Sequence, residues 1–339
     1  MTQAISPSAA RRLVARVDPY MILIILTVVL ASMFPTVAAW RGVLDAVIYG
    51  AVMLLFLLYG ARLAPSAIWA GLSNWRLQAL VFAGTFLLFP LLGLGVTQLI
   101  RGLLPNELIY GFLFLCILPS TVQSSITFTS IANGNVPAAL CCASLSNLVG
   151  VLLTPLLAGL LFSTHGAGIS AHAVEQLAIQ IFLPFCVGQI LRPFVGRWLV
   201  THRTVTLVVD RGAILLVIYG AFSAGVVAGI WTQVSVGSLI LICALDLSLL
   251  LLALWTMRSL SRIMRFPVED EITILFCGSK KSMASGVPIA TAIFSAKMVG
   301  LIVLPLMLFH QIQLMVCAVL ARRYAERDKA TEALQPVRA

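Results

Sequence analysis

The chain has 339 residues, 60% of them apolar and 10% charged, with a formal net charge of +10 and a mean hydropathy of +1.05. That balance lies outside the range of water-soluble domains and is expected of an all-α integral membrane protein. The basic excess is no sign of nucleic-acid binding, because the basic residues sort by their position between apolar runs.

In chain order the apolar runs cover residues 20–39, 43–60, 77–100, 108–132, 136–162, 173–191, 208–230, 236–257, 272–294 and 297–320. Each is close to the ~20 residues that cross a bilayer as a helix. They are continuous, whereas a membrane β-barrel would alternate apolar and polar residues. Ten spans are therefore predicted. Segment 1–19 precedes them, either as a basic amphipathic piece on the inner surface or as disordered chain. Segment 321–339 follows as a tail. The first run ends in the small-residue pattern TVAAW, which resembles a secretory cleavage site. Its apolar run is too long for a signal segment, so it reads as an uncleaved first helix.

If the N-terminus is cytoplasmic, the inside segments hold Arg11, Arg12, Arg16, Arg62, Arg76, Arg192, Arg197, Arg203, Arg211, Arg258, Arg262, Arg265, Arg322, Arg323, Arg327, Lys329 and Arg338. The outside loops hold only Arg41, Arg101 and Lys297. By the positive-inside rule both termini are expected in the cytoplasm, with the chain in the inner cell membrane.

Two spans are interrupted. The fourth contains Pro119, Ser120, Thr121, Gln123, Ser124 and Ser125 in a row, and the ninth contains Gly278, Ser279, Lys280, Lys281, Ser282 and Pro288. A lysine at membrane depth costs about 2.5–3.5 kcal/mol on insertion scales, so such residues face a protein-lined or watery cavity and mark a site. Pro119 lies 99 residues after the start of the first span and Gly278 lies 105 after the start of the sixth. Five spans per half is an odd number, so the halves enter with opposite orientation, and matched breaks in inverted repeats are the signature of a secondary transporter. The joining loop Ser163 to Gln176 marks the boundary between the repeats. The breaks are expected to face each other or a cavity, since unpaired backbone groups in lipid cost several kcal/mol each. Ser120 and Thr121 are expected to cap the second half of the fourth span, and Ser279 that of the ninth. The plain alternative is a proline kink with serines satisfying the backbone.

The stretch LPSTVQSSITFTSIANGNVPAALCCASLSNLVGVLLTPLL, residues 118–157, together with residues 276–290, resembles the bile acid:sodium symporter family. Asn147 lies in the first block and Ser282 in the second. The resemblance implies panel helices at 20–62 and 173–230, and core helices at 77–162 and 236–320. It further implies broken helices that cross near the midplane, and a small organic anion as substrate, moved by core against panel. Carried over by position, the family's sodium ligands fall on Ser124 and Ser125, on Ala139 and Ala143, on Cys277 and Lys281, and on Thr85. The alanines cannot coordinate an ion, the acidic position is Cys277, and an ammonium has arrived at Lys281. A hard cation wants several oxygens, so the usual sodium sites look dismantled. The Lys281 ammonium then supplies the ion's charge, or exchanges a proton during the cycle. Whether Lys280 or Lys281 faces the site stays open. The branch that shares the substituted motif includes a eukaryotic member linked to calcium handling, so bile acid is not the expected substrate.

Asp246 is the lone carboxylate at mid-depth and a candidate partner of either lysine. His310, with Gln311 and Gln313, reads as structural, as does the glycine-rich stretch Tyr219 to Gly229. The seven cysteines, Cys116, Cys141, Cys142, Cys186, Cys243, Cys277 and Cys317, lie inside spans without metal-ligand spacing. Apart from Cys277, beside the break, they read as small core hydrophobes. No cofactor or metal is expected, and no phosphate loop, GxSxG or HExxH suggests an enzyme. The competing readings are a channel and a non-transporting membrane regulator of ion homeostasis.

Overall fold

A computed structural model describes residues 19–62, 74–163, 178–227, 229 and 234–334. Among these residues all regular structure is helical, in twelve helices and one π-helical turn, Ala178–Phe182, that runs directly into the seventh. They are α1 (Pro19–Met33), α2 (Ala38–Arg62), α3 (Trp75–Leu99), α4 (Asn106–Ile117), α5 (Gln123–Ile131) and α6 (Val136–Ser163). Then come α7 (Leu183–Thr201), α8 (Arg203–Val227), α9 (Val236–Ile263), α10 (Val268–Gly278), α11 (Met283–Ile293) and α12 (Ala296–Leu334).

Among the described residues seven stretches are long and apolar enough to cross a bilayer: α2, α3, α6, residues Ile179–Gly196 around α7, α8, α9 and Lys297–Arg327 of α12. Helices α1 and α4 are shorter apolar helices. At ~1.5 Å per residue, α4, α5, α10 and α11 are each too short to span ~30 Å alone. The chain is thus a multi-pass membrane protein, with the predicted fourth span divided into α4 and α5 and the ninth into α10 and α11. Two boundaries differ from the sequence reading. The first helix stops at Met33 and α2 starts at Ala38, inside the run assigned to the first span. Helix α12 runs on to Leu334, so part of the expected tail is helical. Segment 1–18, most of the joining loop and residues 335–339 lie outside the described residues.

Local chemistry sets the helix ends. Pro267 precedes α10, whose first turn carries Glu269, Asp270 and Glu271 where the helix dipole favours negative charge. Ser235 caps α9, its side chain accepting from the Ser238 N–H at 3.0 Å. Glu271 lies before the apolar part of α10 and ties three helices together. It pairs with Arg262 at 2.9 Å and Arg258 at 3.4 Å, and accepts from the Tyr324 hydroxyl at 2.9 Å. Burial pushes its carboxyl up, but the Arg262 and Tyr324 hydrogen bonds and the two arginine charges outweigh that and hold it below the usual carboxylate range.

Helices α1, α2, α7 and α8 pack together, and α3 to α6 pack with α9 to α12; α8 also touches α11 and α12. The tightest contact joins α2 and α7. A Cβ on Gly60 would collide with the Phe185 carbonyl, and one on Gly188 with the Leu57 carbonyl, so only glycine lets these backbones meet. Gln189 adds a bond from its Nε2 to Gly60 O at 2.8 Å, and Arg62 pairs with Asp210 at 2.6 Å. Burial is that of a protein in lipid. Leu99 and Phe194 are 80% and 81% exposed, while Lys280 and Lys281 are both 0% exposed.

Candidate functional site

Two breaks meet inside the second helical group. The first runs from Leu118 to Val122 between α4 and α5, and the second from Ser279 to Ser282 between α10 and α11. Pro119 supplies no N–H, and Gly150 on α6 leaves room for its ring, since a Cβ there would stand 2.6 Å from Pro119 Cβ. The Ser282 N–H donates to Pro119 O at 2.8 Å, the Ser120 hydroxyl to Cys277 O at 2.6 Å and the Ser125 hydroxyl to Phe276 O at 3.1 Å. Backbone groups freed at one break are thus satisfied largely by the other, as burial away from water demands.

Helix α6 supports this junction. Ser146 Oγ accepts from the Ser120 N–H at 3.0 Å. Asn147 Nδ2 donates to Ser120 O at 2.8 Å, and its Oδ1 accepts from the Ser285 hydroxyl at 2.7 Å. Asn147 therefore ties the first break to the first turn of α11, just past the second. Thr121 bonds the hydroxyls of Ser124 at 2.6 Å and Ser125 at 3.1 Å, while Gln123 points outward.

Lys281 is wholly buried, and its Nζ donates to three backbone carbonyls, Thr85 O, Cys116 O and Leu118 O, each at 2.8 Å. Local sequence explains why these acceptors are free. In α3 the turn Gly84–Leu88 is widened, so the Phe89 N–H bonds Gly84 O rather than Thr85 O. The next residue able to reach Thr85 O is Pro90, which has no N–H. Cys116 O and Leu118 O lie where α4 stops, and the Ser120 N–H that would continue the ladder is taken by Ser146. Three N–H donors on three carbonyls is the geometry of an ammonium, since a neutral amine has only two. The Phe89 ring, 4.2 Å from Nζ, closes the remaining side.

Lys280 is equally buried but differently held. Its Nζ makes one long bond, 3.4 Å to Ser124 Oγ, and lies 4.5 and 5.5 Å from the Phe128 and Phe276 ring centres. Donor capacity is thus left over at Lys280 and used up at Lys281.

Three sequence expectations need correction. The residue preceding α5 is Val122, with no side-chain cap, because the Ser120 hydroxyl is spent on Cys277 O and that of Thr121 on the hydroxyls of Ser124 and Ser125. The cap of α11 is Ser282, accepting from the Ser285 N–H at 3.2 Å, while Ser279 bonds back to Leu275 O. The ninth span resumes three residues later than expected. Asp246 is not the partner of either lysine. It is 0% exposed, and neither carboxylate oxygen has a hydrogen-bond partner among the described residues.

Other residues take different parts. Thr85 contributes its carbonyl, its hydroxyl being buried and unpartnered. Cys277 is buried with Sγ 3.8 Å from Ala139 O, and its carbonyl serves Ser120. Gly278 makes room for Met257, whose Sδ would lie 2.7 Å from an added Cβ. Sequence reasoning left Gln313 out of the site, although it is wholly buried and bonded to the Lys281 peptide. Its signal was an amide deep in an apolar helix, on the same face as His310, whose Nδ1 it meets at 3.0 Å. Carbonyl ligands such as Cys116 O leave no trace in residue type. Among the described residues no cluster of His, Cys, Asp or Glu has the makings of a metal site.

Comparison with known proteins fits this architecture. The chain is 50% identical over 319 residues to the protein PA2026 of Pseudomonas aeruginosa, covering 94% of this chain and 96% of the other. It is 46% identical over 318 residues to Escherichia coli YfeH, whose name includes the word symporter, with the same 94% and 96% coverage. A mouse protein named sodium/bile acid cotransporter 7 is 27% identical over 316 residues, 90% of this chain and 92% of its own length. The profile of the SBF-like CPA transporter family matches residues 18–326, and the chain belongs to that family.

Proposed function

We propose that this protein is a secondary active transporter that moves a small organic anion by alternating access, with the Lys281 ammonium in the place that a sodium ion takes in sodium-coupled relatives. The observation that carries this reading is the cage of three carbonyls around a buried charge, contributed by α3 and the end of α4 to a lysine in the break between α10 and α11. Such a cage suits a cation, and lysine brings one covalently attached. Membership of a transporter family supports the general class. The anion's charge partner in this reading is Lys280, whose ammonium keeps unused donors beside the hydroxyls of Thr121 and Ser124.

The architecture that goes with it is ten spans in two inverted repeats, with α1, α2, α7 and α8 as a panel and α3 to α6 with α9 to α12 as a core. The packing of α1, α2, α7 and α8 as one group, which meets the other chiefly through α8, and the meeting of the two breaks support it. Both termini lie in the cytoplasm and the membrane is the inner one, by the distribution of arginine and lysine.

The test is uptake of a panel of organic anions into proteoliposomes. Lys281→Met should abolish uptake in a protein that still folds. Lys281→Arg should fail too, because a planar fork does not fit a site built for a point charge. Wild-type rates in Lys281→Met would return the pair to a structural role.

A further inference from the structure

We infer that Asp246 is a proton-binding site within the membrane, and that its proton, rather than one from Lys281, is the ion coupled to transport. The coupling half of this inference rests on the transport reading above; the binding half does not.

The geometry begins with what surrounds the carboxyl. Asp246 is in the interior of α9 and 0% exposed. One turn to either side, its face of the helix carries Ile242, Leu249 and Leu250, which are 0%, 3% and 0% exposed. Neither oxygen accepts a hydrogen bond, and no lysine or arginine forms an ion pair with it among the described residues. The titratable groups within electrostatic reach are Cys243 on its own helix and Cys116 on α4. Of the other chargeable groups in the core, Lys281 donates into its three carbonyls, Lys280 lies against Ser124 and the Phe128 and Phe276 rings, and His310 on α12 meets Gln313. Arg258, Arg262 and Glu271 satisfy one another.

An ionised carboxylate in such a place is among the costliest arrangements a protein can hold, because neither donors nor a counter-charge replace lost water. Something positive must accompany it. A metal cation would need several oxygens around it, and the face holds aliphatic side chains. A proton needs no other ligand. The step is COO⁻ + H₃O⁺ → COOH + H₂O while the carboxyl meets water, followed by burial of the neutral acid. Lys281 cannot do this in the conformation seen here without surrendering one of its three carbonyls. A carboxyl that is dry in one state and wet in another links proton binding to the movement between them.

Infrared difference spectroscopy of the purified full-length protein in lipid tests the binding half with no transported substrate. Titration from mildly acidic to alkaline buffer should show a carboxylic-acid C=O band that gives way to carboxylate bands and shifts in deuterium oxide. The band should be missing in Asp246→Asn, whose neutral amide keeps the size of the neutral acid. In protein labelled with ¹³C-aspartate, Asp246→Glu should remove the labelled component, which covers the case in which Asp246→Asn does not fold. Absence of the band in wild type, or its persistence in both variants, would overturn the proposal.

The coupling half is read in proteoliposomes with the same organic anions. An inward proton gradient should drive uptake by wild type, and Asp246→Asn should lose that dependence while still exchanging anion for anion. Gradient-driven uptake unchanged in Asp246→Asn would overturn coupling. An intact infrared band with no anion uptake under any gradient contradicts the transport reading and leaves the proton site standing.

Discussion

Gln313 holds the backbone of Lys281 from both sides. Its Oε1 accepts from the Lys281 N–H at 3.0 Å and its Nε2 donates to Lys281 O at 3.0 Å. A break in a membrane helix exposes backbone groups that lipid cannot satisfy, and here one amide on α12 satisfies both groups of the residue that carries the charge. Gln313 thereby fixes the direction in which the Lys281 side chain leaves the backbone.

Gln313→Leu should therefore lower both thermal stability and transport. Two buried backbone groups lose their partners, at about 1–3 kcal/mol each. Gln313→Glu can make both bonds only as the neutral acid, its hydroxyl replacing the amide N–H, so its melting temperature should lie between those of wild type and Gln313→Leu at acidic pH and drop as the pH rises. Equal melting temperatures for all three proteins would show that the clamp contributes nothing.

Pro90→Ala offers a subtler probe. An alanine N–H at that position can compete for Thr85 O, one of the three carbonyls that hold Lys281. The substitution should leave the fold at least as stable, since it removes a proline from a helix. It should nevertheless slow transport, because the ammonium cage is weakened. A rate equal to wild type would mean that Thr85 O is dispensable.

Much of this was legible in the sequence, and the reasons it stopped where it did are physical. Both breaks could be located because a buried lysine pair beside glycine, and a proline followed by a run of hydroxyl residues, are out of place in a continuous lipid-exposed helix; proline alone is tolerated, as Pro155, Pro193 and Pro305 show inside α6, α7 and α12. That α4 and α5 meet α10 and α11 is visible only in three dimensions, through bonds such as Ser282 N–H to Pro119 O. The arrival of a charge at Lys281 could be read from residue type. Its acceptors could not, since backbone carbonyls belong to every residue and only the widened turn before Pro90 and the end of α4 release them. Asp246 was matched with the lysines because opposite charges at similar depth attract. In the fold Lys281 is held by three carbonyls and Lys280 is directed to Ser124 and two rings, so among the described residues neither ammonium reaches Asp246.

The contact between α2 and α7 makes a prediction with internal controls. Gly60→Ala or Gly188→Ala must push the backbones apart, a change in the range of about 1–3 kcal/mol or more for overpacking. Gly42→Ala and Gly50→Ala meet nothing within 4 Å. Thermal melts of the purified variants should show losses in the first pair and none in the second. Similar melting temperatures for all four would mean that the two helices do not touch as described.

The place of Lys281 as a resident cation is tested most directly by the melting temperature of the purified wild-type protein as sodium replaces potassium at constant ionic strength. A bound ion stabilises the state it binds in proportion to the logarithm of its concentration, and a covalently attached ammonium needs no such ion. The expected result is one melting temperature across the whole exchange. A stabilisation specific to sodium and rising with its concentration would show that a sodium site is intact, and would contradict the assignment of that role to Lys281.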